Sequence, residues 1–372
     1  MKKKLAIICA CSEQIPLVKK AKEMGIETHC FAWDKEERHY VCKGIADYYY
    51  PISIIEKEKI LNVCKKNKID GVTSIMRDFS IPTVAYVAQN MGLIGNSYED
   101  VLIPRNKYKA HQAFMKNKVN SPRFAISEDG QIPNIVGFKY PLIVKPVDSH
   151  ASAGVIKVDS ENDLQQAIFF AQKKSFIGHI IIEEFIDGSE HSVDSISWEG
   201  KHYVLGIKDK ELSSDFILLH EHYPSQLSSK NQEIMKAETL KALDSINFKY
   251  GASNTQFKIT ESGEIFTIEI NPRMAGDYSF VQLKLNNGYD YLKGVINTAL
   301  GQFEEPVFTN CKYSGIYYLH KEAEWVRQII ENKDREQEIV EAVFFPKNEI
   351  FNGKEGYFIY QSYRRRSWKP YC

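Results

Sequence analysis

A chain of 372 residues exceeds the size at which one core stops growing, so two or three structural units are expected. Lys+Arg and Asp+Glu both number 48, and 43% of residues are apolar. That balance excludes a binder of nucleic acid or of a charged surface and describes an ordinary globular protein. The seven cysteines are scattered, form no CxxC and have no histidine at zinc-finger spacing, so neither disulfides nor structural zinc is expected. Lys2–Lys4 lead into an apolar run too short for a leader or a membrane span, and the chain reads as cytoplasmic.

In chain order, Leu5–Ala10 reads as a buried strand, with Cys9 and Cys11 packing in it as small hydrophobes. A helical period through Ile15, Val18 and Ala21 ends at Gly25. Strands are expected at Glu27–Ala32, Asp47–Tyr50 and Gly71–Ile75, with helices at Ile54–Lys66 and Ile81–Met91. This alternation predicts a parallel sheet with right-handed crossovers, a Rossmann-like layer, although no GxGxxG follows the first strand. Next come helix Asn106–Asn117, strand Leu142–Pro146, a small-residue loop Asp148–Gly154, strand Val155–Val158 and helix Glu161–Lys173. Strands Ile180–Glu184 and His191–Trp198 follow, then a polar mobile segment at Ser213–Ser229, helix Glu233–Ile246 and a hairpin over Gly251–Ile270. Three further strands after residue 310 predict a small β-rich cap.

The hairpin carries the strongest chemical signal. Ser262-Gly263 as a two-residue turn pairs positions whose numbers sum to 525, setting Gln256 opposite Glu269 with Cβ atoms about 5 Å apart. Alternation places Asn271 on the face of Glu269, with Phe266, Ile268 and Ile270 on the other. Three oxygen donors then converge, a set suited to Mg2+, and Arg273 lies just beyond.

Lys145 closes an apolar strand at its carboxyl end, where α/β sheets bind ligands. The loop behind it (Ser149, Ser152, Ala153, Gly154) is small enough for its N–H groups to approach a phosphate. Lys107 offers a second positive charge; a solvated surface charge is the alternative for each lysine. The segment Glu183-Glu184-Phe185-Ile186-Asp187-Gly188-Ser189-Glu190 reads either as the hinge of an adenine slot, with Glu190 toward a ribose, or as a capped strand end with exposed acids.

Taken together, Ser253–Phe257, Ile268–Arg273, Glu183–Glu190, Ile81–Ala88 and Tyr140–Lys145 resemble the ATP-grasp superfamily, in the branch of carbamoyl phosphate synthetase and the amino-acid ligases. The resemblance, which runs to about residue 300, implies two α+β subdomains after the Rossmann-like layer, with units at 1–103, 104–187 and 188–310, and the strand-rich remainder makes a fourth at 311–372. It implies ATP and two Mg2+ ions, for which Mn2+ substitutes, held by Gln256, Glu269 and Asn271. Arg273 would contact the transferring phosphoryl group, and Lys107 and Lys145 would be phosphate ligands. Glu183 would meet the adenine amine, Phe185 would supply backbone contacts and Glu190 would take the ribose. Two departures stand out: a glycine-poor phosphate loop that projects His150 toward the phosphates or acceptor, and Cys11-Ser12 where the family places glycines.

The implied activity is an ATP-dependent carboxylate–amine ligase with Arg273 and Lys145 as catalytic residues. Its substrates would be a small carboxylate and an amine, and neither nucleic acid nor membrane is expected as a partner. A homodimer fits the same reading. Arg77, His150, Asp194 and Arg273 are candidate substrate contacts, with salt bridges the alternative for Arg77 and Asp194. A thiol, ammonia or carbamate-like acceptor, or a silent nucleotide-binding protein, are the competing readings.

Overall fold

The structure, a computed structural model, describes residues 2–33, 41–149, 152–366 and 368. Strand β1 (Lys4–Ile8) buries all of Leu5–Ile8. After α1 (Ile15–Glu23) come β2 (Glu27–Phe31), β3 (Tyr48–Tyr50), α2 (Lys57–Asn67), β4 (Gly71–Thr73) and α3 (Ile81–Met91). The four strands form a parallel sheet in the order β3-β2-β1-β4. Proline in its first turn and left-handed Gly92 bound α3, as its sequence signals require. The expected first strand is too long, however. It stops at Ile8, and Cys9 takes φ +61°, so Cys9 and Cys11 lie in the turn beyond the strand.

Short α4 (Tyr98–Leu102) leads to α5 (Lys107–Lys116), whose cap Asn106 accepts from the Lys109 N–H. A second sheet joins β5 (Phe124–Ser127), β6 (Leu142–Pro146), β7 (Ile156–Val158) and β8 (Ile180–Glu184), antiparallel in the order β5-β8-β6-β7. Helix α6 (Glu161–Gln172) seats Leu164, Ala167 and Ile168 on Leu142, Val144 and Ile182 of that sheet.

The third sheet holds β9 (Ser189–Trp198), β10 (Lys201–Leu212), β11 (Leu218–Tyr223), β12 (Gly251–Ile259), β13 (Ile265–Asn271), β14 (Tyr313–Leu319), β15 (Ile339–Phe344) and β16 (Gly356–Ser362). Their order is β13-β12-β9-β10-β11-β14-β16-β15. Two expectations are corrected here. The segment 213–229 contains β11 and the start of α7 (Ser229–Ser245). The C-terminal strands do not form a separate cap; they extend the large sheet through the β11–β14 pairing. Strand β10 carried a legible signal in Glu199-Gly200, whose φ of +52° and +79° make a tight hairpin turn after β9.

Helices α8 (Ser279–Asn287) and α9 (Tyr291–Ala299) follow β13, and α10 (Val326–Glu331) precedes β15. Leu292, Val295, Ile296 and Ala299 of α9 share one core cluster with Leu5, Leu17, Val18 and Ala21 of the first layer. Phe114 of α5, Leu243 of α7 and Ile270 of β13 share another, which sets the start of α5 above the β12–β13 hairpin. Gly188, between β8 and β9, has φ +152°, and a Cβ there would fall 1.9 Å from the Ile259 carbonyl oxygen, so only glycine lets the chain enter β9 this close to the end of β12. No helix among the described residues is long and apolar enough to cross a membrane.

Candidate nucleotide and metal site

The hairpin sets Gln256 opposite Glu269, as the sequence predicts, but not through a two-residue turn. Residues 260–264 form the loop, and the register steps by one between Gln256 and Phe257. That step is a bulge at Ile268, and it compensates the longer turn so that the expected pairing survives on the site side. It also changes which side chains back the site. Ile265, Thr267 and Ile270 are the buried set, while Phe266 and Ile268 stay partly exposed.

Glu269, Gln256 and Asn271 offer one carboxylate and two amide oxygens. The Asn271 Nδ2 is buried without a hydrogen-bond partner among the described residues. Lys107 sends its Nζ to within 3.2 Å of Glu269 Oε1 and donates to the Ser149 carbonyl at 2.6 Å. Burial raises the Glu269 carboxyl, but Lys107 and Lys145 outweigh it and hold the group below its ordinary value. No cluster of three or more His, Cys, Asp or Glu among the described residues is placed to hold a metal. An all-oxygen set with a single charge fits a hard cation that brings phosphate ligands with it, and fits a softer metal poorly.

Lys145 and Glu183 lie on neighbouring strands β6 and β8, and the lysine Nζ donates to Glu183 Oε2 at 2.8 Å. His111, one helical turn after Lys107, puts Nε2 3.1 Å from Glu183 Oε1, without hydrogen-bond alignment. All three side chains are buried. Burial would raise the Glu183 carboxyl, yet Lys145 and His111 pull it down to about 2. Glu183 is therefore a buried, charged floor whose two oxygens face Lys145 and His111; sequence reasoning set it at an adenine amine. His111 was missed, although its i+4 spacing from Lys107 on one helix face was readable.

The hinge is also rearranged. The Phe185 N–H donates to the Pro141 carbonyl at 3.0 Å, and its ring lies 4.6 Å beneath the Lys157 ammonium. The Phe185 N–H is thus committed, whereas Ile186 has no backbone hydrogen bond among the described residues. Glu184 accepts from the Lys139 N–H at 2.9 Å and so braces the sheet edge. Glu190 pairs across the ladder with Lys210 at 2.6 Å and lies 3.8 Å from Lys258. Burial lowers the Lys210 ammonium, but Glu190 raises it more, and the pair stays charged.

In the loop after β6, Asp148 accepts from Ser175 Oγ and from the N–H groups of Phe176 and Ile177. Ser152, at φ +58°, donates its hydroxyl to the Phe216 carbonyl at 3.1 Å, which ties the loop to the β10–β11 turn. Ala153 and left-handed Gly154 complete it, and a Cβ on Gly154 would press on Pro146 and Lys174. His150 lies outside the described residues.

Arg273 makes two parallel bonds to Asp78, at 2.8 and 3.0 Å. Burial raises Asp78, and Arg273, Arg105 and Lys107 together hold it below its ordinary value. Arg77 ion-pairs with Glu13, which also accepts from Cys11 Sγ at 3.0 Å, so the expected carboxylate-binding charge is already countered. Asp194 is 0% exposed; it accepts from Tyr223 Oη and from Asn254 Nδ2 at 3.0 Å, and Lys208 lies 3.5 Å away. As an inward residue of the central strand, where the sequence reading set it, it belongs to a buried network, which is the salt-bridge alternative to a substrate contact.

The family model of the ATP-grasp domain matches residues 138–281. The chain is 25% identical over 268 residues to a carbamoyl phosphate synthase large chain from Thermoanaerobacter sp., covering 68% of this chain and 24% of that one. It thus spans about a quarter of the length of that relative. A D-alanine–D-alanine ligase from Flavobacterium psychrophilum is 34% identical over 139 residues, which is 35% of this chain and 41% of the ligase. Among solved structures, an L-amino acid ligase from Bacillus licheniformis superposes with TM-score 0.81 at 22% identity, covering 98% of this chain and 94% of the ligase. The ADP complex of an N5-carboxyaminoimidazole ribonucleotide synthetase also gives 0.81, at 16% identity, over 97% and 93%. At such identities the superpositions establish the fold.

Proposed function

We propose, from the premise that the chain carries an ATP-grasp domain, that it is an ATP-dependent carboxylate–amine ligase. The reading rests above all on one contact: Lys107 Nζ stands 3.2 Å from Glu269, in register with Gln256 and two residues before Asn271. A cation and an oxygen-donor hairpin meet where a metal–phosphate group would sit.

In this reading Gln256, Glu269 and Asn271 would hold two Mg2+ ions, or Mn2+ in their place. Bound there, the metal would supply charge neutralisation to the ATP phosphates. Lys107 contributes a direct positive charge, and Arg273, kept rigid by Asp78, presents its remaining N–H groups to the phosphoryl group in transfer. Lys145 acts from below, because its ammonium rests on Glu183. Ile186 offers its N–H to the base edge, and Glu190 faces the ribose between its two lysines. Ser149, Ser152, Ala153 and Gly154 border the phosphates, and the Ser152–Phe216 bond is the beginning of a closure that excludes water from an acyl phosphate.

The test is release of ADP and phosphate from Mg-ATP across panels of carboxylates and amines, with mass spectrometry of the products. ATP binding without ADP formation in any panel would overturn the ligase in favour of a silent nucleotide-binding protein. Formation of a thioester or carbamoyl product would move the acceptor to another class. A homodimer in the cytoplasm is part of the same proposal.

A further inference from the structure

The turn that follows β1 brings two thiols together. The Cys11 N–H donates to the Cys9 carbonyl at 2.7 Å, a bond from i to i+2 that makes a γ-turn centred on Ala10. Cys9 itself takes φ +61°, which a residue other than glycine adopts only where its surroundings hold it. The two bends leave Cys9 Sγ 3.9 Å from Cys11 Sγ. Rotation about the side-chain torsions would close that gap to the about 2 Å of an S–S bond. Cys9 is partly exposed and Cys11 is 3% exposed, so a small solute reaches the first sulfur and not the second.

Their surroundings make the two thiols unequal. Cys11 Sγ donates to Glu13 Oε2 at 3.0 Å, Ser12 Oγ donates to the same oxygen at 3.1 Å, and Arg77 holds Glu13 Oε1. The Arg77 Nε is buried with no hydrogen-bond partner among the described residues, and the guanidinium charge acts on both cysteines. A hydrogen bond from Cys11, and then the charge of Arg77, hold the Cys9 thiol below its ordinary value against burial and Glu13. The same hydrogen bond, and then burial, push Cys11 up. Burial also pushes Cys30 up, and raises Cys42 and Cys64 to about 12. Cys11 has a single hydrogen to give. Glu13 takes it while Cys9 is a thiol; a Cys9 thiolate takes it otherwise, with Ser12 and Arg77 still satisfying Glu13. Cys9 is therefore the reactive sulfur, since the thiolate is the nucleophile, and Cys11 stands beside it as the resolving thiol.

We propose that Cys9 and Cys11 form an oxidation site for hydroperoxides, closing to an intrachain disulfide beside the Glu13–Arg77 pair. The Cys9 thiolate attacks a peroxide oxygen; the S–O bond forms, the O–O bond breaks, and the leaving hydroxide or alkoxide takes a proton from water. Cys11 Sγ then attacks the Cys9 sulfenic acid. The S–S bond forms as the S–O bond breaks, and the Cys11 proton leaves with the hydroxyl as water. Two thiols lose two electrons and the peroxide gains them. The disulfide has no S–H, so Glu13 loses its donor on Cys11, and Arg77 loses the charge of the Cys9 thiolate. Arg77 immediately precedes Asp78, whose carboxylate holds Arg273, so oxidation acts one residue from that contact.

The full chain is treated with a stoichiometric amount of hydrogen peroxide, blocked with iodoacetamide and digested with trypsin. Cleavage after Lys4 and Lys19 leaves both cysteines in the peptide 5–19, with no other thiol. The expected product is that peptide two hydrogens lighter and unalkylated, restored by dithiothreitol. Cys9 should be oxidised at least about tenfold faster than the exposed Cys311 of the same chain. In Cys11→Ser the Cys9 sulfenic acid should persist and be captured by dimedone, and in Cys9→Ser the fast oxidation of Cys11 should disappear. Oxidation of Cys9 no faster than that of Cys311, or a disulfide from Cys9 to Cys42 or to a second chain, would overturn the proposal. These readouts need no nucleotide, so they decide the site apart from the ligase reading; should a variant fail to fold, the wild-type peptide decides alone. Under that reading, ADP release should fall by roughly threefold or more in the oxidised protein and return on reduction, with Cys9→Ser indifferent to peroxide. Unchanged ADP release in fully oxidised protein would overturn the coupling to Asp78 and Arg273.

Discussion

Asp78 grips Arg273 with both carboxylate oxygens, at 2.8 and 3.0 Å, across 195 positions of sequence. The aspartate belongs to the turn after β4 of the parallel layer, and the arginine follows the last oxygen donor of the hairpin. The pair therefore ties the first layer to the end of the donor hairpin. Each side chain is only 14% exposed. Asp78→Ala should cost on the order of 3 kcal/mol, because it strands a buried guanidinium. Urea unfolding measures it. A loss below about 1 kcal/mol would reduce the contact to the rank of a surface pair. Arg273→Lys should not rescue function, since a single ammonium cannot make the two parallel bonds.

Glu269 is the one carboxylate of the donor set. Glu269→Gln should raise the Mg2+ concentration required for half-maximal ADP release by roughly 10- to 100-fold, the range typical of disturbed metal sites, and should abolish most turnover. The melting temperature serves as the control for folding. Unchanged Mg2+ dependence in a folded variant would remove the metal assignment.

Glu183 makes a pH prediction whose sign follows from its environment. Its carboxyl falls from the ordinary 4.5 to about 2 in the folded protein, so its contribution to stability is complete above pH 4.5 and disappears as the pH falls toward 2. The size is roughly 3 kcal/mol. Stability measured against pH should fall less steeply through that window in Glu183→Gln than in the wild type. Parallel curves would show that the Lys145–Glu183–His111 floor does not exist as described.

Chelation provides an independent check on the metal. Excess EDTA should stop ADP release, and either Mg2+ or Mn2+ should restore it, with oxygen-rich donors accepting both ions. Titration at saturating ATP should report two ions per chain. Turnover that persists in EDTA contradicts the site.

The hinge predicts base selectivity. If the Ile186 N–H donates to the base edge, adenine presents an acceptor there and hypoxanthine presents a hydrogen. ATP should then exceed ITP in kcat/KM by on the order of a hundredfold. Equal use of the two nucleotides would place the base elsewhere.

Much of this was legible beforehand. The apolar runs of β1, β6 and β8 and the helical periods of α3 and α5 announced themselves, because strand and helix patterning act within a few residues. Gln256, Glu269 and Asn271 were found because they share one hairpin. The bulge at Ile268 was not legible: the two-residue turn that was assumed gave the right pairing only because bulge and longer loop cancel. Strand β11 was overlooked because His220, Glu221 and His222 look like a solvated run, while Glu221 and His222 are buried in the middle of the large sheet.

The sequence by itself determined the parallel first layer, the donor hairpin and the identity of the basic residues around it. Only the tertiary structure decided which charges remain available. Glu183, Asp194, Arg77 and Glu190 all carry groups that a ligand could use, and each is committed to a partner: Lys145, Lys208, Glu13 and Lys210. Periodicity is a property of neighbours in the chain, so residue order encodes it. Charge pairing is a property of neighbours in space, and the chain joins Asp78 to Arg273, or Asp277 to Lys354, only after three sheets have formed around a common core.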